Sequence, residues 1–129
     1  MARCGTLTPE SDEDASTLQL GEEIYQQYCL ACHQMDGSGV PGLYPPLRDT
    51  EWVTGDKETL IEIVMNGLSG TIEVNGEIYS QEMAASGFLS DEEIAAVLTF
   101  IRNGFGNDSG SVSPAEVASI RKELNRNEP

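Results

Sequence analysis

Apolar residues recur at helical spacing in four stretches of the chain. From Thr17, Leu20, Ile24, Tyr25 and Tyr28 fall on one stripe, which predicts an amphipathic helix ending at Cys29. Lys57 to Asn66 predicts a second helix with Leu60, Ile61 and Val64 inward and Gly67 as its stop. Ser90-Asp91-Glu92-Glu93 is a capping box, and the helix it opens buries Ile94, Val97, Leu98 and Ile101, with Phe100 beside them, before running out at Asn103-Gly104. A second box, Ser113-Pro114-Ala115-Glu116, starts a terminal helix whose stripe is Val117, Ile120 and Leu124. That stripe is expected to pack on the domain, with a partner-binding helix as the alternative. Only Thr71 to Tyr79 alternates, around Asn75-Gly76, which predicts a short hairpin with Ile72, Val74 and Ile78 as candidates for burial. The pattern divides the chain into an acidic flexible leader over 1–16, a helical domain over 17–107 and a C-terminal helical extension over 108–129.

At 129 residues and 39% hydrophobic content, with 6% aromatic, side chains alone make a thin core, so a non-protein group is a candidate filler. Seven basic residues against 22 acidic ones give a net charge of −15. Such a surface repels phosphate backbones and anionic bilayers, which argues against nucleic-acid binding. No apolar run is long enough for a membrane span.

Three cysteines, Cys4, Cys29 and Cys32, make a poor disulfide framework, whereas Cys29-Leu30-Ala31-Cys32-His33 is the spacing of a c-type haem attachment site. On a helical turn positions i and i+3 project to one side, as two thiols must to reach two vinyl groups on one macrocycle edge, and the next residue offers an imidazole to the iron. A thioredoxin-type pair would need a βαβ context, and a structural zinc site would need a second ligand pair. His33 is the only histidine, so a second axial ligand is a methionine, a less usual donor such as Lys57, or nothing. Met1 lies in the polar leader, Met35 is too close to His33 along the chain, and Met65 reads as a core residue of a helix. Met83, in the irregular stretch from Ser80 to Gly87, is the candidate that remains. A His33 and Met83 pair would raise the reduction potential and close the iron to substrates, which points to electron transfer. An open sixth position would instead make a haem enzyme or gas sensor.

The loop from Gly37 to Asp56, rich in glycine and proline, is long for a compact domain unless it wraps a cofactor edge. The carbonyl of Pro45 or Pro46 can accept from Nδ1–H of His33 and fix the ring. Tyr44, Arg48 and Trp52 offer the donors that haem propionates need, or serve as ordinary surface and packing residues.

Taken in order, these residues resemble the bacterial class I monohaem cytochromes c over roughly Thr17 to Asn107. The attachment motif is similar to theirs; Gly21 and Tyr25 resemble the N-terminal helix contact, with Val97 and Phe100 as the opposing positions. Pro45-Pro46-Leu47 resembles the loop whose carbonyl holds the axial histidine, with Pro45 at the matching offset. Tyr79 to Met83 and the helix from Leu89 to Asn103 are similar to the distal loop and last helix of cytochrome domains in terminal oxidases and membrane dehydrogenases. Ala84 departs from a family that often has proline after its methionine ligand.

The resemblance implies an all-α class I fold with one haem c packed between helices, bound through Cys29 and Cys32 and ligated by His33 and Met83. It implies a monomeric one-electron carrier, not an enzyme, between a quinol-oxidising complex or dehydrogenase and a haem-copper terminal oxidase. Thioether attachment belongs to compartments outside the reducing cytosol, so a periplasmic or exported location is expected. Met1-Ala2-Arg3 is too short for a secretory signal, so a processed or engineered form is expected. Cys4-Gly5 before an acidic leader resembles a lipoprotein anchor site, with an adventitious cysteine or an intermolecular disulfide as alternatives. Arg48, Lys57 and Arg102 are the only bases between Thr17 and Gly106, so no lysine ring can steer docking. An apolar patch around Val40, Pro41 and Ala84, set in acidic surroundings, is the expected contact, with a basic or apolar partner site.

Overall fold

The computed structural model describes residues 12–126, six helices and a two-stranded sheet. Met1, Cys4 and most of the acidic leader lie outside the described residues.

Helix α1 spans Asp12–Tyr28 and begins five residues before the apolar periodicity does. The chain bends at Cys29 and continues as α2, Leu30–His33. The short α3, Glu51–Thr54, is capped by Thr50, and α4, Lys57–Asn66, by Asp56, whose carboxylate accepts from both the amide and hydroxyl of Thr59. Strands β1, Ile72–Val74, and β2, Glu77–Tyr79, form an antiparallel hairpin with Asn75 and Gly76 at positive φ. Helix α5, Asp91–Asn103, carries the reciprocal Ser90–Glu93 capping box, and α6, Pro114–Arg126, carries the Ser113–Glu116 box.

The core forms where α1 crosses α5 and where α6 packs on α5 and α4. Ile94 and Leu98 are completely buried, which contributes roughly 1.5–3 kcal/mol apiece. Val117 and Ile120 seal the outer side, so the terminal stripe packs on the domain as its periodicity predicts. Gly21 lets the crossing close: its nearest neighbours are Ala96 and Phe100, while Val97 turns to the interior cavity described below. Tyr25 stacks at a tilt on Phe100 and Phe105 and donates to the Gln34 carbonyl at 2.6 Å. Burial raises its phenol pKa well above the ordinary tyrosine value, so the O–H persists as a donor.

Three sequence expectations are corrected. The stretch from Gly37 to Asp56 is not loop throughout: Thr50 caps the helical turn α3 within it, which at four residues is too short to show a helical period. Tyr28 is not on the buried stripe; it is exposed and meets the ring of Phe88 edge-on at 5.3 Å. Ile78 faces outward because the two-residue turn pairs it with Glu73, while Tyr79, paired with Ile72, takes the buried position.

Arg102 is a buried cation that the apolar pattern of α5 does not reveal. Its guanidinium donates to the carbonyls of Val53 at 2.9 Å, Gly55 at 3.1 Å, Gly110 and Ser109, tying the end of α5 to α3 and to the linker before α6. Four carbonyl acceptors offset the desolvation that an unpaired buried charge would suffer. Asn107 does similar work for the proline loop, donating to the Leu47 and Ile101 carbonyls and accepting from the Asp49 amide.

Candidate functional site

The α1–α2 junction, the proline loop, α3, α4, α5 and the hairpin with the segment after it enclose a cavity of about 310 Å³, lined mainly by apolar side chains. The α1–α2 junction brings Cys29, Cys32 and His33 to it because the chain continues helically through the bend, with the amides of Cys32 and His33 both bonded to the Cys29 carbonyl. The proline loop contributes Tyr44, Pro45, Pro46 and Leu47. Helices α3 and α4 contribute Trp52, Val53, Leu60 and Val64, and α5 closes the back with Val97, Leu98 and Ile101. The segment after β2 brings Met83, held by an antiparallel bridge to Leu68.

The histidine is oriented by its backbone partner. Nδ1–H of His33 donates to the Pro45 carbonyl at 2.8 Å, which selects between the two prolines and leaves the lone pair on Nε2. Burial lowers the pKa of His33, and the carbonyl contact offsets part of that, so the neutral, ligating form prevails at neutral pH. Cys29 and Cys32 form no disulfide; as a thiol, Cys29 is pushed up to about 11 by burial and then by the neighbouring Cys32. Among the described residues, no three His, Cys, Asp or Glu side chains converge to hold a metal by themselves. Two thiols, one imidazole and one thioether around an apolar cavity are a donor set that would fit a haem.

The proposed propionate donors part company. Tyr44 and Trp52 line the cavity, but the indole N–H of Trp52 is committed to the Glu73 carbonyl at 3.0 Å, where it ties α3 to the hairpin. Arg48 does not line the cavity; its guanidinium donates to the Asp36 carbonyl and lies 3.2 Å from the Asp36 carboxylate. Of the apolar patch expected for docking, Ala84 sits exposed at the cavity while Val40 and Pro41 do not line it. Sequence reasoning missed Tyr28 and Leu68 as lining residues. Adjacency to Cys29 was a signal for Tyr28; nothing local singles out Leu68, which reaches the cavity through its pairing with Met83.

A helical domain that presents Cys-x-x-Cys-His and a methionine to one apolar cavity is the scaffold of a haem-binding electron-transport protein. Residues 16–101 match the family described as "Cytochrome C oxidase, cbb3-type, subunit III", and the chain belongs to that family of cytochrome c domains. It is 43% identical over 91 residues to cytochrome c-552 of Thermus thermophilus, covering 67% of this chain and 69% of that protein. It is 35% identical to the gluconate 2-dehydrogenase cytochrome c subunit of Pantoea cypripedii, across 92% of this chain, and 32% identical to a cbb3-type cytochrome c oxidase subunit CcoP of Azospirillum, across 70%. The chain spans 29% of the length of each of these two subunits.

Proposed function

We propose that this chain carries single electrons with one haem c, bound by thioethers to Cys29 and Cys32 and ligated axially by His33 and Met83. The observation that carries the reading is that one apolar cavity collects these four side chains from segments some fifty residues apart. Haem, when bound, supplies the one-electron chemistry. The Pro45 carbonyl holds the imidazole in the ligating tautomer. Val97, Leu98 and Ile101 exclude water from the back of the site, and Met83 closes the remaining position to outside ligands. These roles suit a carrier, with no open site for a substrate. Relatives named as cytochrome c subunits of a gluconate 2-dehydrogenase and a quinone alcohol dehydrogenase, and as a cbb3-type oxidase subunit, support a dehydrogenase donor and an oxidase acceptor; a quinol-oxidising complex as donor and a periplasmic location belong to the proposal. No helix among the described residues is long and apolar enough to cross a membrane; a lipid on Cys4 is the proposed tether. The test is the absorption spectrum of the oxidised and reduced protein with and without carbon monoxide. A weak far-red sulfur-to-iron band, and a reduced form that resists carbon monoxide, are expected. A high-spin protein that binds carbon monoxide directly would hand the function to the gas-sensor or enzyme reading.

The exposed Tyr28 and Phe88 rings, with Ala84, form the proposed contact for a redox partner. Phe88 is 68% exposed, and Tyr28 both borders the cavity and precedes Cys29. With a net charge of −15 around such an apolar centre, the fitting partner surface is apolar with a basic rim. Electron transfer to such an acceptor should slow as salt rises, because screening removes an attraction. Phe88→Ser should weaken association about tenfold, the equivalent of ~1.4 kcal/mol for losing an aromatic anchor. Rates that climb with salt would place an acidic surface opposite and sink this docking scheme.

A further inference from the structure

Ala84 places no ring constraint on the backbone beside Met83, so whatever holds the thioether in register must be sought elsewhere. Three backbone hydrogen bonds strap this segment to the end of α4. Leu68 N–H donates to the Met83 carbonyl at 3.0 Å, Met83 N–H donates to the Leu68 carbonyl at 2.8 Å, and Ser86 N–H donates to the Val64 carbonyl at 2.8 Å. The strap lies directly on Gly67. This residue has φ of +78°, and a Cβ there would stand 2.5 Å from the Met83 carbonyl oxygen and 2.9 Å from the Ala85 nitrogen. Both neighbours are backbone atoms, so no side chain can swing aside to make room.

We propose that Gly67 is a positioning residue for Met83: its missing Cβ lets the distal segment close onto α4 and so sets how far the thioether reaches. The proposal rests on the reading that Met83 ligates iron. Metal ligation tolerates errors of only about 0.5 Å, and relieving a 2.5 Å contact moves the Met83 backbone by about that much or more. The hydrogen bonds alone would not suffice, because they follow the segment if it lifts; the bare Cα decides how closely it can approach.

The fold provides its own control. Gly70 has φ of +90°, and a Cβ added there would meet nothing within 4 Å, so Gly70→Ala carries the same kind of backbone strain without touching Met83. Both variants should be prepared as haem-loaded full chains and compared with the unmutated protein by far-red absorption, carbon monoxide binding and thermal melting. Gly67→Ala should lose at least half of the far-red band and bind carbon monoxide at least tenfold faster, whereas Gly70→Ala keeps both within twofold even though its melting temperature falls. A Gly67→Ala protein that keeps the band and its resistance to carbon monoxide overturns the proposal, as does Gly70→Ala losing them equally. If the unmutated protein itself lacks the band, the ligation reading fails first and takes the proposal with it. Should Gly67→Ala not load haem, amide exchange on the haem-free proteins decides: Leu68 and Met83 amides that exchange at least tenfold faster in Gly67→Ala than in the unmutated protein, but not in Gly70→Ala, support the proposal, and unchanged exchange overturns it.

Discussion

Met83→Ala should turn a closed, low-spin site into an open one. The thioether is a soft donor that prefers ferrous to ferric iron, so its loss lowers the reduction potential as well as removing the far-red band. If that preference is on the order of a hundredfold, the fall is about 120 mV, at 59 mV per tenfold for one electron. Carbon monoxide should then bind the reduced variant without waiting for a ligand to leave. Folding stability should change little, because Met83 lies at the cavity wall, partly exposed, and outside the packed core. Met65 supplies the contrast. It is buried to 6% exposure within the core cluster, so Met65→Ala should cost roughly 2–5 kcal/mol through the cavity it leaves. Its far-red band should survive. Potentiometry together with thermal melts separates the two methionines, and a spectrum that changes in Met65→Ala but not in Met83→Ala would reverse their roles.

The second large effect belongs to the helix crossing. Helix propensity alone says that Gly21→Ala should stabilise α1 by up to about 1 kcal/mol. Packing says the opposite: the added Cβ would stand 2.2 Å from the Ala96 carbonyl oxygen and 2.8 Å from Cβ of Phe100. One of these atoms belongs to the backbone of α5, so the helices must separate, which loosens Tyr25 against Phe100. Overpacking of this kind costs typically 1–3 kcal/mol, and with backbone involved the upper end applies, so a net loss of about 2 kcal/mol is expected. For a chain of this length that lowers the melting temperature by roughly 6–12 °C. Circular dichroism melts of the two proteins give the answer, and a raised melting temperature would mean that the crossing is not close-packed at Gly21.

The helices of this protein were legible because their signals are short-range. The Ser90–Glu93 and Ser113–Glu116 boxes and the Asn75-Gly76 turn each involve residues within one turn of one another, and all form. What misled was anything that depended on a partner elsewhere. Tyr28 fits the apolar stripe of α1 by spacing, yet the helix meets α5 nearer its middle and leaves that ring at the cavity rim with Phe88. The partners of Arg48 and Trp52, Asp36 and the Glu73 carbonyl, lie too far off in sequence to be read from it. Arg102 gave no sign of burial, since a cation is buried only where carbonyls from Val53, Gly55, Ser109 and Gly110 happen to meet.

By itself, the sequence determined that Cys29, Cys32 and His33, the proposed proximal residues, share one helical turn, because their geometry follows from backbone periodicity. It also left Met83 as the candidate among the methionines for a distal ligand, with Lys57 or an open position as the alternatives. Only the tertiary structure decided that Met83 reaches the same cavity, that Pro45 and not Pro46 holds the histidine, and that Gly67 lies beneath the distal segment. The division is physical: contacts within a turn are dictated by local dihedrals, whereas contacts between Gly67 and Met83, or His33 and Pro45, exist only after the helices have packed and fixed where the loops between them can run.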